Sequence, residues 1–411
     1  MRVQRCKGTR DLSPEEMARF RLIEAAFRDC CLKAGYQEVR TPTIEYLHLF
    51  TSTGTLTPGT LGRVYSFLDW DGWSGERVVL RPDGTIPVAR LYIDTMEKKG
   101  LSKLFYVTNI FIFEETGKET RERWQCGAEL IGAGSAIADV ELITLALEVL
   151  KRLGLEDVQL RLSHAGLIKA LLVKFGLGPE EQIRVLDQIL DGDAEALRKL
   201  KSKSPDLGKT LAPLLDLRGQ SSGFLRNLKV LFNQDVPELK APLDDFLGIV
   251  DLLEALDYRY QIDIASGRGF EYYTGAIFEL FAGRQRIGGG GRYDALIPLM
   301  GGKDIPASGF ALYLDPLMNL ILPQVTATPP ARRILVKVKP RHPETVKEGF
   351  RAADFLRKAG FVVELDLGGR KPAAPGWTLD VQAKRPPFIL TDRARRRKFE
   401  AQTIDDLLKL F

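Results

Sequence analysis

The 411 residues are 45% apolar and 27% charged with a net charge of +5, the profile of a soluble globular protein of two or three domains. That mild positive charge is compatible with anionic partners without demanding nucleic acid. No apolar run is long enough to cross a bilayer, and the first 16 residues lack the apolar core of a signal peptide, so a cytoplasmic location is expected. Cys6, Cys30, Cys31 and Cys126 match no zinc spacing, and only His48, His164 and His342 supply imidazole. A metal site and a Ser-His triad are both disfavoured on those numbers, and no cofactor is expected.

Ser13-Pro14-Glu15-Glu16 opens a helix, with Ser13 as cap, Pro14 in the first turn and Glu16 completing a capping box. Its apolar stripe of Phe20, Ile23, Ala26, Phe27 and Cys30 runs to about Ala34, and Gly35 ends it. Strands are predicted over residues 36–41, 64–68 and 78–80. Arg81-Pro82-Asp83-Gly84-Thr85 turns the chain into a second helix over 86–99. Residues 104–113 and 124–131 form a hairpin around a charged loop, and 137–153 is helical, followed by a short strand over 158–162. Leucine and alanine at helical spacing mark residues 167–256 as a helical insertion.

Residues 268–294 read RGFEYYTGAIFELFAGRQRIGGGGRYD. Two apolar runs, 272–281 and from 287, flank the turn Ala282-Gly283-Arg284-Gln285, which predicts an antiparallel hairpin. Gly288 to Gly291 lie on the return strand, where glycine marks a bulge or a place where something approaches the backbone. Tyr272 and Tyr273 on the outgoing strand point to opposite faces, so at most one lines a site and the other packs. A short helix is predicted from Asp294, then a strand-to-helix passage over 306–315. A Pro-rich linker at 326–332 separates a core of 1–325 from a small unit of 333–411. Strands at 334–338, 361–367 and 388–390 with helices at 345–359 and 404–410 predict a small parallel α/β domain there. Arg393, Arg395, Arg396, Arg397 and Lys398 read as a solvated basic turn.

Five segments occur in one order: Gly8-Thr9-Arg10-Asp11, Leu80 to Thr85, Gln125 to Glu129, Arg268 to Gly275, and Gly290 to Asp294. Together they make residues 8 to about 320 resemble the class II aminoacyl-tRNA synthetase core in its histidyl branch. The resemblance implies an α+β fold, an antiparallel sheet flanked by helices, paired as a dimer through the first helix and strand up to Pro42. Asp83, Thr85, Gln125, Glu129, Tyr272, Tyr273 and Tyr293 match that family's histidine pocket, with Arg268 beside them. Asp83 stands where the family more usually has glutamate. Carboxylates suit an amino acid's ammonium, and an imidazole needs both a donor and an acceptor.

Two family arginines that hold ATP phosphates have no counterpart: Ile112 and Pro316 occupy their places. The C-terminal unit is also reduced relative to an anticodon-binding domain, breaking at Gly368 to Pro375. This combination is similar to the regulatory subunit of ATP phosphoribosyltransferase. That family implies a non-catalytic role in the first step of histidine biosynthesis. It implies a short-form catalytic subunit as partner, one that needs the regulatory subunit for activity, and feedback inhibition by histidine. Recognition of tRNA is not expected. The alternative is a working histidyl-tRNA synthetase with displaced ATP contacts.

Overall fold

The computed structural model describes residues 4–54, 56, 61–70, 75–112, 121–174, 178, 218–232, 237–264, 272–321, 333–339, 342–368 and 376–411. The chain divides into two compact units, Met1–Leu322 and Pro323–Phe411. Arg268, the linker at 326–332, most of the 114–121 loop and the middle of the expected helical insertion lie outside the described residues.

The larger unit begins with helix α1 (Pro14–Lys33). Its capping box is complete: Ser13 Oγ accepts the Glu16 amide at 3.2 Å, and Glu16 Oε2 accepts the Ser13 amide at 2.7 Å. Then come β1 (Gln37–Glu38), β2 (Ile44–Tyr46), α2 (Leu47–Thr51), β3 (Ser66–Trp70), β4 (Gly75–Leu80) and α3 (Thr85–Thr95). β5 (Ser102–Phe111) and β6 (Glu122–Ile131) form the predicted hairpin, followed by α4 (Ala136–Arg152), β7 (Val158–His164) and α5 (Ala165–Lys174). Besides most of α5, the described part of the 167–256 region holds β8 (Arg218–Gly219), α6 (Ser222–Phe232), a 3-10 turn (Pro237–Leu239) and α7 (Lys240–Ala255). β9 (Gln261–Asp263), β10 (Ala276–Ala282), β11 (Gln285–Arg292), α8 (Leu296–Leu299), β12 (Ala307–Tyr313) and α9 (Leu314–Leu320) complete the unit.

Nine strands form one sheet in the order β1-β5-β6-β12-β11-β10-β7-β9-β8. Its pairs are antiparallel except β1–β5 and β7–β9. Side-chain alternation gives the sheet two different faces. Phe105, Cys126, Ala128, Leu130, Leu162, Phe278, Phe310 and Leu312 enter the main core with α1, α4 and α7. The α7 helix therefore belongs to the core: Phe246, Ile249 and Val250 are fully buried.

The opposite face carries Gln125, Gly127 and Glu129 of β6, Gly309 and Ala311 of β12, and Gly289 and Gly291 of β11, aligned by register. A second three-stranded sheet, β2-β4-β3, joins this side through Val79, which clusters with Phe50, Ile86 and Tyr92.

The β10–β11 hairpin turns on Gly283-Arg284, with Ala282 paired to Gln285. Gly283 has φ +58°, a backbone region that glycine enters without steric cost. The register slips between Leu280 and Phe281, so Ile287 is the extra residue of a bulge at the start of the glycine run. The expected strand over 272–281 starts only at Ala276. The alternating-face argument for Tyr272 and Tyr273 therefore fails: both side chains are buried, with ring centroids 5.3 Å apart.

The smaller unit has β13 (Arg333–Lys339), α10 (Pro343–Lys358), β14 (Val362–Leu365), β15 (Trp377–Gln382), β16 (Phe388–Asp392) and β17 (Arg397–Ala401). Its sheet order is β14-β13-β15-β16-β17, and Ala352 and Leu356 of α10 pack on Ile334, Val336 and Leu379. β14, β13 and β15 are parallel, but β15–β16 and β16–β17 are antiparallel, so the predicted parallel sheet is mixed. The supposed basic turn is the β16–β17 turn plus the first residues of an edge strand, with Asp392 Oδ1 accepting the Ala394 and Arg395 amides. The terminal helix is a single 3-10 segment, Asp405–Leu410.

Candidate functional site

The site is built around Glu129, which is 1% exposed. Its strand neighbour across β12 is Gly309, and a Cβ there would stand 1.8 Å from Glu129 Oε2. Glycine at 309 is therefore what makes room for the carboxylate. Three hydroxyls converge on it. Thr85 Oγ1 donates to Oε1 at 2.8 Å and Tyr106 OH to Oε1 at 3.1 Å, while Tyr293 OH donates to Oε2. Gln125 Nε2 in turn donates to Tyr106 OH at 3.3 Å. Gln125 is thus buried within the network and does not lie on a solvated strand face.

Asp83 precedes α3 and turns its carboxylate back on that helix: Oδ1 accepts the Ile86 amide at 2.8 Å. A carboxylate at a helix N-terminus satisfies donors that have no intrahelical partner. Tyr272, Tyr273 and Tyr293 close the site as an aromatic group, Tyr272 standing edge-on to Tyr293 at 5.4 Å. The space over the glycine strand is filled by this chain's own side chains. A Cβ at Gly291 would meet the Tyr273 ring at 2.9 Å, and one at Gly289 would meet Arg286 Nη2 at 3.1 Å.

Burial dominates the electrostatics. It pushes Glu129 up to about 8 against the opposing hydrogen bonds from Tyr293, Thr85 and Tyr106, with Asp83 adding repulsion. Asp83 rises to about 6, again through burial, against the amides of Ile86, Thr85 and Gly84. The hydroxyls of Tyr106, Tyr272, Tyr273 and Tyr293 are all held well above their usual value by burial. Two buried carboxylates ringed by neutral hydroxyls make an environment that a cationic or donor-rich ligand relieves.

The structure thus gathers Asp83, Thr85, Gln125, Glu129, Tyr272, Tyr273 and Tyr293, whereas Arg268 lies outside the described residues. Sequence reasoning missed Tyr106. It stands directly across from Gly127, where a Cβ would lie 2.2 Å from its ring. A tyrosine at the middle of a strand, facing a glycine on the partner strand, was the available signal.

Ile112 and Pro316, where the resemblance would place two arginines, sit among other contacts. Asp315, next to Pro316, forms an ion pair with Arg10 and accepts the Trp124 amide at 3.4 Å. Ile112 donates its amide to the Arg121 carbonyl at 2.9 Å, and the Arg121 stem lies against Gly8. Nearby on the same sheet face, Arg286 Nε lies 2.9 Å from Glu279 Oε1.

Comparison with known proteins places the fold and the family. The histidyl-tRNA synthetase family model matches residues 8–317. A Dehalococcoides mccartyi (strain BAV1) ATP phosphoribosyltransferase regulatory subunit is 53% identical over 408 residues, covering 99% of this chain and 98% of that one. A Methanocaldococcus jannaschii histidine–tRNA ligase is 34% identical over 382 residues, covering 90% and 87%. The solved structure of an ATP phosphoribosyltransferase regulatory subunit/histidyl-tRNA synthetase from Bacillus halodurans superposes with a TM-score of 0.76 at 25% identity, covering 90% of this chain and 95% of that one. The α+β, class II synthetase-like fold expected from the sequence is therefore the fold observed. With its histidyl-synthetase core and its full-length likeness to the Dehalococcoides proteins, the chain belongs to the ATP phosphoribosyltransferase regulatory subunit family.

Proposed function

We propose that this chain is the non-catalytic regulatory subunit of a short-form ATP phosphoribosyltransferase and that Glu129 and its neighbours form its histidine-sensing site. The observation that carries the reading is the combination of a retained, hydroxyl-caged Glu129 with isoleucine and proline where phosphate-holding arginines would stand. An apolar side chain cannot stabilise a developing phosphate charge, and preorganised charge is the main contribution an adenylating site makes. The amino-acid half of the site persists without the nucleotide half, which suits binding better than activation.

Histidine occupancy shifts the assembly between states through its differential affinity for them, the one way a ligand moves such an equilibrium. Self-association through the N-terminal core is part of the same reading. Large exposed apolar side chains support it, but they lie on β2 and β3, at Ile44, Tyr46, Phe67, Leu68 and Trp70, while α1 contributes only Leu32. Among the described residues no helix is long and apolar enough to cross a membrane, and the reading places the chain in the cytoplasm with its partner.

The test is co-expression with a short-form catalytic subunit, followed by co-purification and assay of phosphoribosyl transfer, with histidine-dependent ATP–pyrophosphate exchange measured on the chain alone. Partner-dependent phosphoribosyl transfer without exchange is the expected outcome. Robust exchange would establish the synthetase alternative instead.

A further inference from the structure

We propose that the Glu45–Arg90 ion pair, together with Arg81, is a positioning device that fixes Thr85 against Glu129. The inference rests on the histidine-site reading above and names what sets that site's geometry.

Glu45 is the middle residue of β2 and points inward, alternating with exposed Ile44 and Tyr46. It is 7% exposed. Arg90 grips it with a two-pronged contact, Nε to Oε2 at 3.0 Å and Nη2 to Oε1 at 2.8 Å. Its remaining terminal nitrogen, Nη1, reaches Asp94 at 3.0 Å. Such a planar fork fixes orientation as well as distance, which an ammonium does not.

Arg81 makes a second attachment at the other end of the same segment. Its Nη1 donates to the Thr41 and Pro42 carbonyls, both at 2.9 Å, and its backbone amide donates to Thr43 at 3.0 Å. Nε and Nη2 bind the carbonyl and side chain of Asn109, each at 2.7 Å. Residues 81–90 are therefore fastened at both ends to β2 and its lead-in. Asp83 and Thr85 lie between the two fastenings.

This matters because Thr85 is the first residue of a helix only 11 residues long. Rotating a helix by about 20° moves an atom roughly 5 Å from its axis by nearly 2 Å. That movement would break the 2.8 Å contact between Thr85 Oγ1 and Glu129. Sites of this kind need supporting contacts that hold the binding groups to about half an ångström. This ion pair is only partly buried, with the Arg90 side chain 28% exposed, so it adds little to stability and its value here is orientation.

The test uses Glu45→Gln, which removes the charge, and Arg90→Lys, which keeps the charge and loses the fork. Two readouts are taken on each: the midpoint of the Glu129 carboxyl band followed by infrared spectroscopy against pH, assigned with Glu129→Gln, and histidine affinity by titration calorimetry. The infrared readout needs no ligand. Losing the Thr85 donor removes a contact that favours ionised Glu129, so its midpoint rises in both variants, and histidine affinity falls about tenfold. Melting temperature serves as the fold control. A folded variant with an unmoved midpoint overturns the proposal, whatever the wild-type chain does with histidine. Failure of the wild-type chain to bind histidine, with the midpoint moving as expected, overturns the sensing role and leaves the positioning role supported.

Discussion

Gly309 and Glu129 face one another across β12 and β6, and the space a Cβ at 309 would occupy is taken by the Glu129 carboxylate. Replacing Gly309 with alanine is expected to displace that carboxylate from its three hydroxyl donors. Overpacking of this kind costs about 1–3 kcal/mol. The chain should remain folded while histidine affinity falls by roughly two orders of magnitude, measured by calorimetry alongside urea unfolding.

Stability of the unliganded chain should decline with rising pH because of Glu129. Its folded value is raised to about 8 from the ordinary 4.5. Between those values the folded state keeps a proton that the unfolded state has released. The contribution is therefore fully present below 4.5 and is lost as pH rises through 8. Asp83 acts in the same direction between 3.8 and about 6. Glu129→Gln should flatten the upper part of this profile, followed by denaturant midpoints across pH.

Tyr293 donates to the second Glu129 oxygen. Tyr293→Phe keeps the ring against Tyr272 and removes the hydroxyl. Hydrogen bonds to charged groups are worth about 1.5–3 kcal/mol, so the loss should appear most clearly above pH 8, where Glu129 is ionised. At low pH the variant should approach the wild type.

Arg292 secures the hairpin from the far side of the site. Its Nη2 binds Asp139 and also the Ser135 carbonyl at 3.0 Å, and both side chains of the ion pair are 5% exposed. Arg292→Met leaves a buried carboxylate without its partner, a loss of about 3–5 kcal/mol. The double variant with Asp139→Leu should recover much of it in equilibrium unfolding.

The large elements were legible because they follow local rules. The capping box at Ser13 and Glu16, the β5–β6 hairpin and the glycine-bearing return strand all announce themselves through periodicity and turn residues. The residues gathered around Glu129 were singled out through ordered motifs. What was not legible depends on tertiary register. Tyr272 and Tyr273 look like strand residues from composition, yet the strand starts at Ala276, and only packing decides that both rings are buried side by side, Tyr272 against Tyr293. Tyr106 matters because Gly127 stands opposite, a fact of pairing between strands. β15 and β17 were missed because one follows a Pro-rich break and the other begins in a run of basic residues, where composition masks a short edge strand. Asp83 read as a ligand for an ammonium, whereas the fold also uses it to cap α3.

The central claim is that the retained half of a synthetase site binds histidine in a chain that does not activate it. Titration of L-histidine into the purified chain, alone and in complex with the short-form catalytic subunit, tests this most directly. Saturable binding at one site per chain, lost in Glu129→Gln, is the predicted result. Absence of histidine binding in both preparations would contradict it.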